Sequence, residues 1–274
     1  MFEELMKNVE EKNPLTHCIT NYVTVNDCAN ILLAAKASPI MADDIEEVEE
    51  IVSMSQALVI NIGTLNSRTV KSMIVAGKKA NKLNIPVVLD PVGIGASKLR
   101  RKSVDEILKK VEFSVIRGNI SEIKALHNGF TNTKGVDASN DDEIKEENIE
   151  KTIEIAKSLS KETKSIISIS GKIDVIASEN KAYLCRNGNS IMPLITGTGC
   201  MLSSLIGAYI GANPKNILES TLNANVLMGI SGELAYEKMI KNNAGTMSFR
   251  NYLIDEVYKM NYEKIKELSK IESK

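Results

Sequence analysis

The sequence predicts an α/β protein of three layers, in which helices cover both faces of a mostly parallel sheet. Short runs rich in Val and Ile, typical of strands buried on both faces, alternate with longer segments that repeat apolar residues at helical spacing. Right-handed crossovers then place helices on both sides of the sheet. The clearest strand runs are Ala57–Ile62, Pro86–Asp90, Phe113–Ile116 and Ser165–Ile169.

The other elements of the amino-terminal half follow the same alternation. A short strand at His17–Asn21 runs through a polar turn into a helix whose apolar face spans Asn26–Ala35. Helical spacing predicts two further helices, over 67–83 and over 141–161.

Past residue 171 the pattern changes. Val175–Ala177 and Ala182–Leu184 flank a polar stretch and indicate a hairpin, which would give the sheet an antiparallel edge. The last quarter of the chain has a helical pattern, with Pro214 suited to the first turn of one helix and residues 242–245 separating it from the last helix. The Lys- and Glu-rich tail is predicted to be a solvated helix.

Length and composition describe an ordinary globular protein. Length alone leaves one or two domains open, but no linker divides the chain, so we expect one domain over residues 1–274. The 34 Lys and Arg nearly cancel the 35 Asp and Glu. A pI near 6.2 without a basic stripe indicates no nucleic-acid or anionic-membrane partner, so the expected partner is a small molecule.

The sequence lacks the features of secreted, membrane and zinc proteins. Met1–Glu4 shows no signal-peptide pattern, and the longest nearly apolar stretch, Met201–Ala212, is too short to span a bilayer, so we expect a cytoplasmic protein. Four widely spaced cysteines and two histidines argue against a structural zinc site. Of the cysteines, only Cys200 lies at the start of a helix, a position that lowers a thiol's pKa.

A glycine-rich segment, Thr196-Gly197-Thr198-Gly199-Cys200, runs directly into an apolar helical stretch. N–H groups at a helix start converge on one point at the positive end of the helix dipole, which suits a phosphate. The patterns G-x-x-x-x-G-K-[ST] and G-x-G-x-x-G are absent, so neither a P-loop nor a dinucleotide site is indicated. A tight turn that uses glycine only for its conformation is the equal alternative.

Polar residues follow the predicted strands, at the sheet edge where α/β proteins bind ligands. Asp90 is either a carboxylate of such a site or the start of a turn before Pro91. Asn119 and Glu122 either cap a helix or, beside Arg117, order magnesium-bound waters and hold a phosphate.

Three further residues have both a functional and a structural interpretation. Ser170, followed by Gly171, ends a strand where a ligand has room to approach the backbone, or is simply a strand end. Asn21 is either a ligand contact or a helix cap, and Met41 is either a pocket residue or a core filler.

In combination, seven segments make the sequence resemble the hydroxyethylthiazole kinases of the ribokinase-like superfamily. They span nearly the whole chain and agree with the predicted strand ends. The segments are His17-Cys18-Ile19-Thr20-Asn21, Ala37-Ser38-Pro39-Ile40-Met41, Asn61-Ile62-Gly63-Thr64-Leu65, Leu89-Asp90-Pro91-Val92-Gly93, Ile116-Arg117-Gly118-Asn119, Lys134-Gly135-Val136-Asp137 and Thr196-Gly197-Thr198-Gly199-Cys200.

The resemblance implies a ribokinase-like fold and transfer of the ATP γ-phosphoryl group to the primary alcohol of 4-methyl-5-(2-hydroxyethyl)thiazole, in thiamine formation. It also implies a requirement for Mg²⁺ and a homotrimer with its sites between subunits. The residues carried over are Asn21, Met41 and Gly197 for the thiazole, Arg117 and Ser170 for the nucleotide, Asp90 and Glu122 for magnesium, and Gly197, Thr198 and Gly199 for an anion hole.

Cys200 stands where related sugar kinases carry an aspartate base, so it would either accept the alcohol proton or only position the alcohol. Two places depart from the family pattern: Lys36 replaces a usual glycine, and Ala244–Phe249 matches only loosely. The alternatives are a ribokinase-like kinase for a sugar or pyrimidine alcohol, a nucleotide-binding protein without turnover, and an ATP-dependent dehydratase.

Overall fold

One sheet runs through the computed structural model, which describes residues 2–131 and 144–274. Within these residues the strands are β1 (Leu15–Ile19), β2 (Ser38–Ile40), β3 (Ala57–Asn61), β4 (Val87–Asp90), β5 (Val115–Asn119), β6 (Ile166–Ser170), β7 (Asp174–Ala177), β8 (Ala182–Cys185) and β9 (Ile271–Ser273). Their order is β2-β1-β3-β4-β5-β6-β7-β8-β9. Strands β1 to β6 pair in parallel, and the pairs from β6 to β9 are antiparallel. The mostly parallel sheet and its predicted edge hairpin are confirmed.

Helices cover both faces of this sheet. They are α1 (Phe2–Lys12), α2 (Val25–Ala34), α3 (Val48–Met54), α4 (Ser67–Lys82), α5 (Lys98–Leu108), α6 (Ile120–Thr131), α7 (Ile149–Thr163), α8 (Thr198–Ala212), α9 (Ile217–Lys241), α10 (Thr246–Tyr258) and α11 (Tyr262–Leu268). On β3, Leu58 and Ile60 join the apolar cluster of α3 to α7, while Val59 joins that of α1, α2 and α8 to α11. Alternation along the strands therefore buries both faces, and the three-layer prediction is confirmed.

The predicted helix over 141–161 begins later than expected. Helix α7 starts at Ile149, after a single 3-10 turn at Glu146–Asn148. Residues 141–143 and the family segment Lys134–Asp137 lie outside the described residues. None of the described helices has both the length and the apolar character needed to cross a membrane.

Two predictions for the carboxyl-terminal part are wrong. Pro214 lies in a turn before α9, which starts only at Ile217. The tail is not one solvated helix: α11 ends at Leu268 and β9 follows it. The backbone of the tail hydrogen-bonds to the free edge of β8. Lys274 N donates to Ala182 O at 2.8 Å, and Ala182 N donates to Lys274 O at 3.0 Å.

Lys36, the departure from the family's glycine, has a φ of 67°. This left-handed conformation costs a non-glycine residue roughly 1–2 kcal/mol, which explains why glycine suits the position. The Lys36 Nζ lies 4.7 Å from the centre of the Tyr258 ring, a cation–π distance that offsets part of this strain. Lys36 therefore adopts the left-handed backbone conformation that a glycine would adopt without strain.

Candidate active site

The side chains of Asn61, Asp90 and Arg117 lie under the start of α8. Asn61 ends β3 in register with Asp90 at the end of β4, and Arg117 lies on β5, which continues to Asn119 beyond the predicted end at Ile116. The residue two positions before each of the three belongs to the apolar cluster around α8. Because side chains alternate along a strand, an amide, a carboxylate and a guanidinium meet at this helix.

The glycine-rich segment forms the helix start that an anion site needs. Gly197 precedes α8 with a φ of 94°, and a Cβ there would lie 2.8 Å from Thr24 Cγ2, so both conformation and space require glycine. N–H groups in the first turn of a helix have no carbonyl partner within the helix. Those of Thr198, Gly199 and Cys200 therefore favour the phosphate interpretation over that of a plain turn.

The Arg117 guanidinium lies against this helix start. A Cβ on Gly199 would be 2.4 Å from Arg117 Nη1, so glycine is what lets the cation approach the backbone. Arg117 Nη2 donates to Ser170 Oγ, which brings the two predicted nucleotide residues into contact. Arg117 Nη1 lies 3.8 Å from Asp90 Oδ1, and the buried Nε has no hydrogen-bond partner among the described residues. A buried cation with an unpaired N–H group suits an anionic ligand.

Cys200 Sγ accepts hydrogen bonds from two side-chain amides. The nitrogen of Asn21 lies 3.2 Å and that of Asn61 3.3 Å from the sulfur. Burial raises the pKa of the Cys200 thiol, and the charge of Asp90 adds to this, against hydrogen bonds and the charge of Arg117. The lowered pKa expected from the helix start is therefore wrong in direction, because loss of hydration outweighs the favourable partners.

Asp90 is 0% exposed, and only one of its carboxylate oxygens accepts hydrogen bonds. Oδ2 accepts from Asn61 Nδ2 at 2.8 Å and from Ser203 Oγ at 2.7 Å. Oδ1 has no hydrogen-bond partner in the described part of the chain. Burial raises the pKa of this carboxyl to about 6, opposed by the charge of Arg117 and reinforced by that of Glu122. An unpaired buried oxygen is costly, which indicates that a ligand completes it.

The donor set fits a magnesium ion shared with phosphates. Mg²⁺ commonly takes one or two carboxylates from the protein and completes its shell with water and phosphate oxygens. Over residues 2–131 and 144–274, no group of three or more His, Cys, Asp or Glu side chains is arranged to hold a metal by itself. Asp90, whose Oδ1 has no hydrogen-bond partner among the described residues and lies 3.8 Å from Arg117 Nη1, is the candidate carboxylate for such an ion.

Glu122 caps the start of α6, as the structural interpretation of this residue predicted. Its Oε2 accepts from Asn119 N at 2.9 Å, and Asn119 Oδ1 accepts from Glu122 N at 2.8 Å, which is a capping box at the start of α6. Its Oε1 accepts from Gly93 N at 2.8 Å and so ties α6 to the loop after Asp90. A magnesium role for Glu122 stays a prediction.

Asn21 is a fully paired framework residue. Its Oδ1 accepts from Thr24 N and Thr24 Oγ1, both at 3.1 Å. The residue that caps α2 is Thr24, so Asn21 closes the turn before the helix and is not the predicted cap. Its Nδ2 donates to Asn61 Oδ1 at 3.1 Å and to Cys200 Sγ. Because every polar atom of the amide has a protein partner, a direct contact with thiazole would be a van der Waals one.

Met41 lines a cavity of about 330 Å³ at the ends of β1, β2 and β3. The walls also include Tyr22, Asn61, Thr64 and Leu65. Met41 is half-buried and also packs against the apolar cluster around α8, so both the pocket and the core interpretations remain for it. The cavity, at the same sheet edge as Cys200, is of the size and mixed polarity that suit a small heterocycle.

Three residues without a predicted role hold this frame together: Asn61, Ser203 and Arg100. Asn61 lies in a family segment at the end of a predicted strand, and Ser203 is three residues after Cys200 and so shares its helix face; both signals were available in the sequence. Arg100 donates to the carbonyls of Ile62, Gly63 and Val92 at 2.6–2.8 Å. Backbone partners of this kind depend on the path of two loops and leave no sequence signal.

Comparison with known proteins agrees with this geometry. Residues 6–263 match the model of the hydroxyethylthiazole kinase family. A hydroxyethylthiazole kinase of Clostridium acetobutylicum is 57% identical over 273 residues, with 100% of both chains covered. Another, of Clostridium tetani, is 54% identical over 271 residues and covers 99% of this chain and 97% of its own.

Solved structures give the same result. A hydroxyethylthiazole kinase protein from Pyrococcus horikoshii superposes with a TM-score of 0.88 at 35% identity, covering 100% of this chain and 98% of that one. A ribokinase-like superfamily protein of Enterococcus faecalis, at 12% identity, a TM-score of 0.59 and coverage of 93% and 88%, shares the fold. This chain, with its ribokinase-like fold, therefore belongs to the hydroxyethylthiazole kinase family, whose members are kinases that use ATP as co-substrate.

Proposed function

We propose that this chain transfers the γ-phosphoryl group of ATP to the primary alcohol of 4-methyl-5-(2-hydroxyethyl)thiazole, a step of thiamine biosynthesis. The observation that carries the proposal is the Arg117 guanidinium against Gly199 at the start of α8, beside the unpaired Oδ1 of Asp90. A fixed cation, converging N–H groups and a carboxylate open to a metal ion are what phosphoryl transfer from a nucleotide requires.

Charge stabilisation and positioning account for most of the catalysis expected here, because the phosphoryl group passes through a loose transition state. The N–H groups of Thr198, Gly199 and Cys200 would bind its equatorial oxygens more tightly as charge develops. Loss of one such donor typically costs about 2.7–4 kcal/mol in transition-state stabilisation. Arg117, with Ser170 as its partner, would bind the phosphates of the nucleotide.

Magnesium would be held on the Asp90 side, with Glu122 as the second candidate carboxylate. When bound, Mg²⁺ supplies positive charge to the phosphate oxygens. Asn61 and Ser203 hold the other Asp90 oxygen, so the carboxylate is already oriented before a ligand arrives.

Cys200 would contact the alcohol, either accepting its proton or only positioning it. The raised pKa of the thiol means that the protonated form prevails at neutral pH, which favours the positioning role in the absence of substrate. Transfer of the proton would then require the thiolate to be stabilised in the complete complex by Asn21, Asn61 and Arg117.

Thiazole binding is assigned to Asn21, Met41 and Gly197, and the assembly to a homotrimer with sites between subunits. Tyr22 is 78% and Val23 56% exposed, directly after β1 at the edge of the site. Large apolar side chains that are exposed beside a pocket are typical of a surface covered by another subunit. We also propose a cytoplasmic location.

The test is an assay of the purified protein with magnesium-ATP and a panel of small alcohols. We expect phosphate transfer to the hydroxyethylthiazole and little to sugars. Reaction of hydroxymethylpyrimidine without reaction of the thiazole would overturn the substrate assignment, and ATP binding without transfer to any alcohol would overturn the kinase activity.

A further inference from the structure

Asn61 links the two reactive groups of the site. In the described part of the chain it is the only side chain that hydrogen-bonds to both Asp90 and Cys200: its Nδ2 lies 2.8 Å from Asp90 Oδ2 and 3.3 Å from Cys200 Sγ. Its Oδ1 accepts from Gly63 N at 2.8 Å and from Asn21 Nδ2 at 3.1 Å. Both polar atoms of the amide are therefore hydrogen-bonded within the protein, and Asn61 is only 2% exposed.

The amide has one orientation that satisfies these partners. The Gly63 N–H group can only donate, and the Asp90 carboxylate accepts, so the amide oxygen must face Gly63 and the amide nitrogen must face Asp90. A flipped amide would set its oxygen against the carboxylate and leave the Gly63 N–H group opposite another donor. The direction of the hydrogen bond to Cys200 is therefore fixed by the Gly63 N–H group and the Asp90 carboxylate.

This orientation acts on the sulfur. Asn21 and Asn61 both donate to Sγ, so the proton of the thiol has to point away from the two amides. If the thiolate forms, the same N–H groups stabilise its charge. In both protonation states the two amides decide which side of the sulfur is open to an alcohol.

The same orientation acts on the carboxylate. Asn61 and Ser203 both donate to Oδ2 of Asp90, which leaves Oδ1 without a partner among the described residues. Backbone pairing of β3 with β4 sets Asn61 directly beside Asp90. One amide thus orients both the carboxylate on the phosphate side and the sulfur on the alcohol side.

We propose that Asn61 is a positioning residue for phosphoryl transfer, which holds the Cys200 sulfur and the Asp90 carboxylate in the mutual arrangement that the reaction needs. The inference rests on the proposed function, because it assigns Asn61 a part in the same reaction. The competing explanation is a buried amide that only joins two strands.

Asn81 provides a matched control for that explanation. It also joins two segments by a pair of hydrogen bonds, from its Nδ2 to Glu112 O and from Glu112 N to its Oδ1, both at 2.8 Å. It lies near the carboxyl end of α4, at the amino end of the parallel strands, whereas the site lies at their carboxyl end. Asn81→Ala therefore removes two hydrogen bonds between segments, at a more exposed position than Asn61, without touching Asp90 or Cys200.

The experiment compares Asn61→Ala, the shape-conserving Asn61→Asp and Asn81→Ala with the parent in two assays. The first is steady-state kinetics with magnesium-ATP and the thiazole alcohol. The second is the pH dependence of Cys200 alkylation by iodoacetamide without substrates, with Cys200→Ala as the labelling control. This reagent reports on Cys200 because the other three cysteines are buried.

We expect both Asn61 variants to lose kcat by roughly 10- to 100-fold, the range found when a partner that orients a metal ligand is removed, with little change in either KM. The alkylation profile should move to higher pH, further in Asn61→Asp because a carboxylate replaces the donor. Asn81→Ala should lower the melting temperature and leave kcat and the alkylation profile unchanged.

Parental kcat in a folded Asn61 variant would overturn the proposal. An alkylation profile that stays in place would overturn it as well, even if kcat fell, because a purely structural role predicts that combination. If Asn61→Ala fails to fold, Asn61→Asp retains the acceptor for Gly63 and Asn21 and decides the question. If the parent does not phosphorylate the thiazole, the proposed function fails, while the alkylation profile still tests the link from Asn61 to Cys200.

Discussion

The antiparallel edge of the sheet and the carboxyl end of its parallel strands both bury polar side chains, but only the edge pairs them fully. At the edge, Asn187 donates to Leu268 O at 2.9 Å and accepts from Lys270 N at 2.8 Å. Glu233 accepts from Gly188 N and from Lys270 Nζ, both at 3.0 Å. These contacts tie the segments before β9 and after β8 to α9.

At the carboxyl end, by contrast, Asp90 Oδ1 and Arg117 Nε are buried and have no hydrogen-bond partner within the described residues. An unsatisfied buried polar group costs roughly 1–3 kcal/mol. Both atoms belong to side chains that approach each other to 3.8 Å beside the start of α8. Buried atoms without a hydrogen-bond partner also occur on α9, at Ser220 Oγ and Ser231 Oγ, so the missing bonds alone do not identify a site. At Asp90 and Arg117 they coincide with a helix start and with two opposite charges, which a ligand carrying both a cation and an anion would complete.

Cys200→Ser should give the largest effect on activity. If Cys200 accepts the alcohol proton in the complete complex, kcat should fall by about 10²–10⁴, the range for a group that handles a proton in the transition state, while nucleotide affinity stays near that of the parent. A hydroxyl is a far weaker acid than a thiol, so it would not form the anion under the same conditions. Steady-state kinetics together with calorimetric ATP binding checks both parts. A variant as fast as the parent would remove the base role and leave the anion hole.

Arg117→Ala should weaken ATP more than the thiazole. Hydrogen bonds to charged groups contribute about 1.5–3 kcal/mol each, so a loss of ATP affinity of roughly 10- to 100-fold is expected. Calorimetry with each ligand separately measures the two effects. The matched control is Arg186→Ala at the antiparallel edge, where the guanidinium pairs with the exposed carboxylates of Glu146 and Glu272. Unchanged ATP affinity in Arg117→Ala would contradict the nucleotide assignment.

Lowering the pH should protonate Asp90 and so reduce activity. Its pKa in the folded protein is raised to about 6, so the carboxylate is present above that pH and is protonated below it. We expect kcat/KM for magnesium-ATP to fall by up to tenfold per pH unit below about pH 6, because kcat/KM reports groups of the free enzyme. Initial rates at saturating thiazole and varied magnesium-ATP, measured between pH 5 and 8, give this kcat/KM. A flat profile across that range would show that Asp90 does not need its charge.

Sequence patterns located the site because its signals are local. The ends of Val- and Ile-rich runs placed Asp90 and Ser170 at one sheet edge, and glycines before an apolar stretch placed Gly197 at a helix start. These positions are confirmed by the fold. The roles assigned to the site residues, the single domain over 1–274 and the trimer stay predictions.

The features that the sequence did not indicate are contacts between residues that lie far apart in the chain. The contact of Asn61 with Cys200 joins residues 139 positions apart, and β9 forms only because β8 leaves an edge open. The direction of the shift in the Cys200 pKa follows from burial, which outweighs the hydrogen bonds to the thiol and the charge of Arg117. Burial is a property of the packed chain, so a motif alone gave the wrong direction.

Asn187→Ala, at the antiparallel edge, should give the smallest effect on activity and a clear effect on stability. The substitution leaves Leu268 O and Lys270 N without their side-chain partner at a 5% exposed position, so the free energy of unfolding should drop by about 1–3 kcal/mol. Because that network contains no atom of the site, kcat and both KM values should match the parent below the melting temperature. Urea unfolding and steady-state kinetics on the same preparation measure the two quantities. A large loss of kcat at full occupancy of the folded state would show that the edge and the site are coupled, and the division between a paired structural region and an unpaired functional one would then fail.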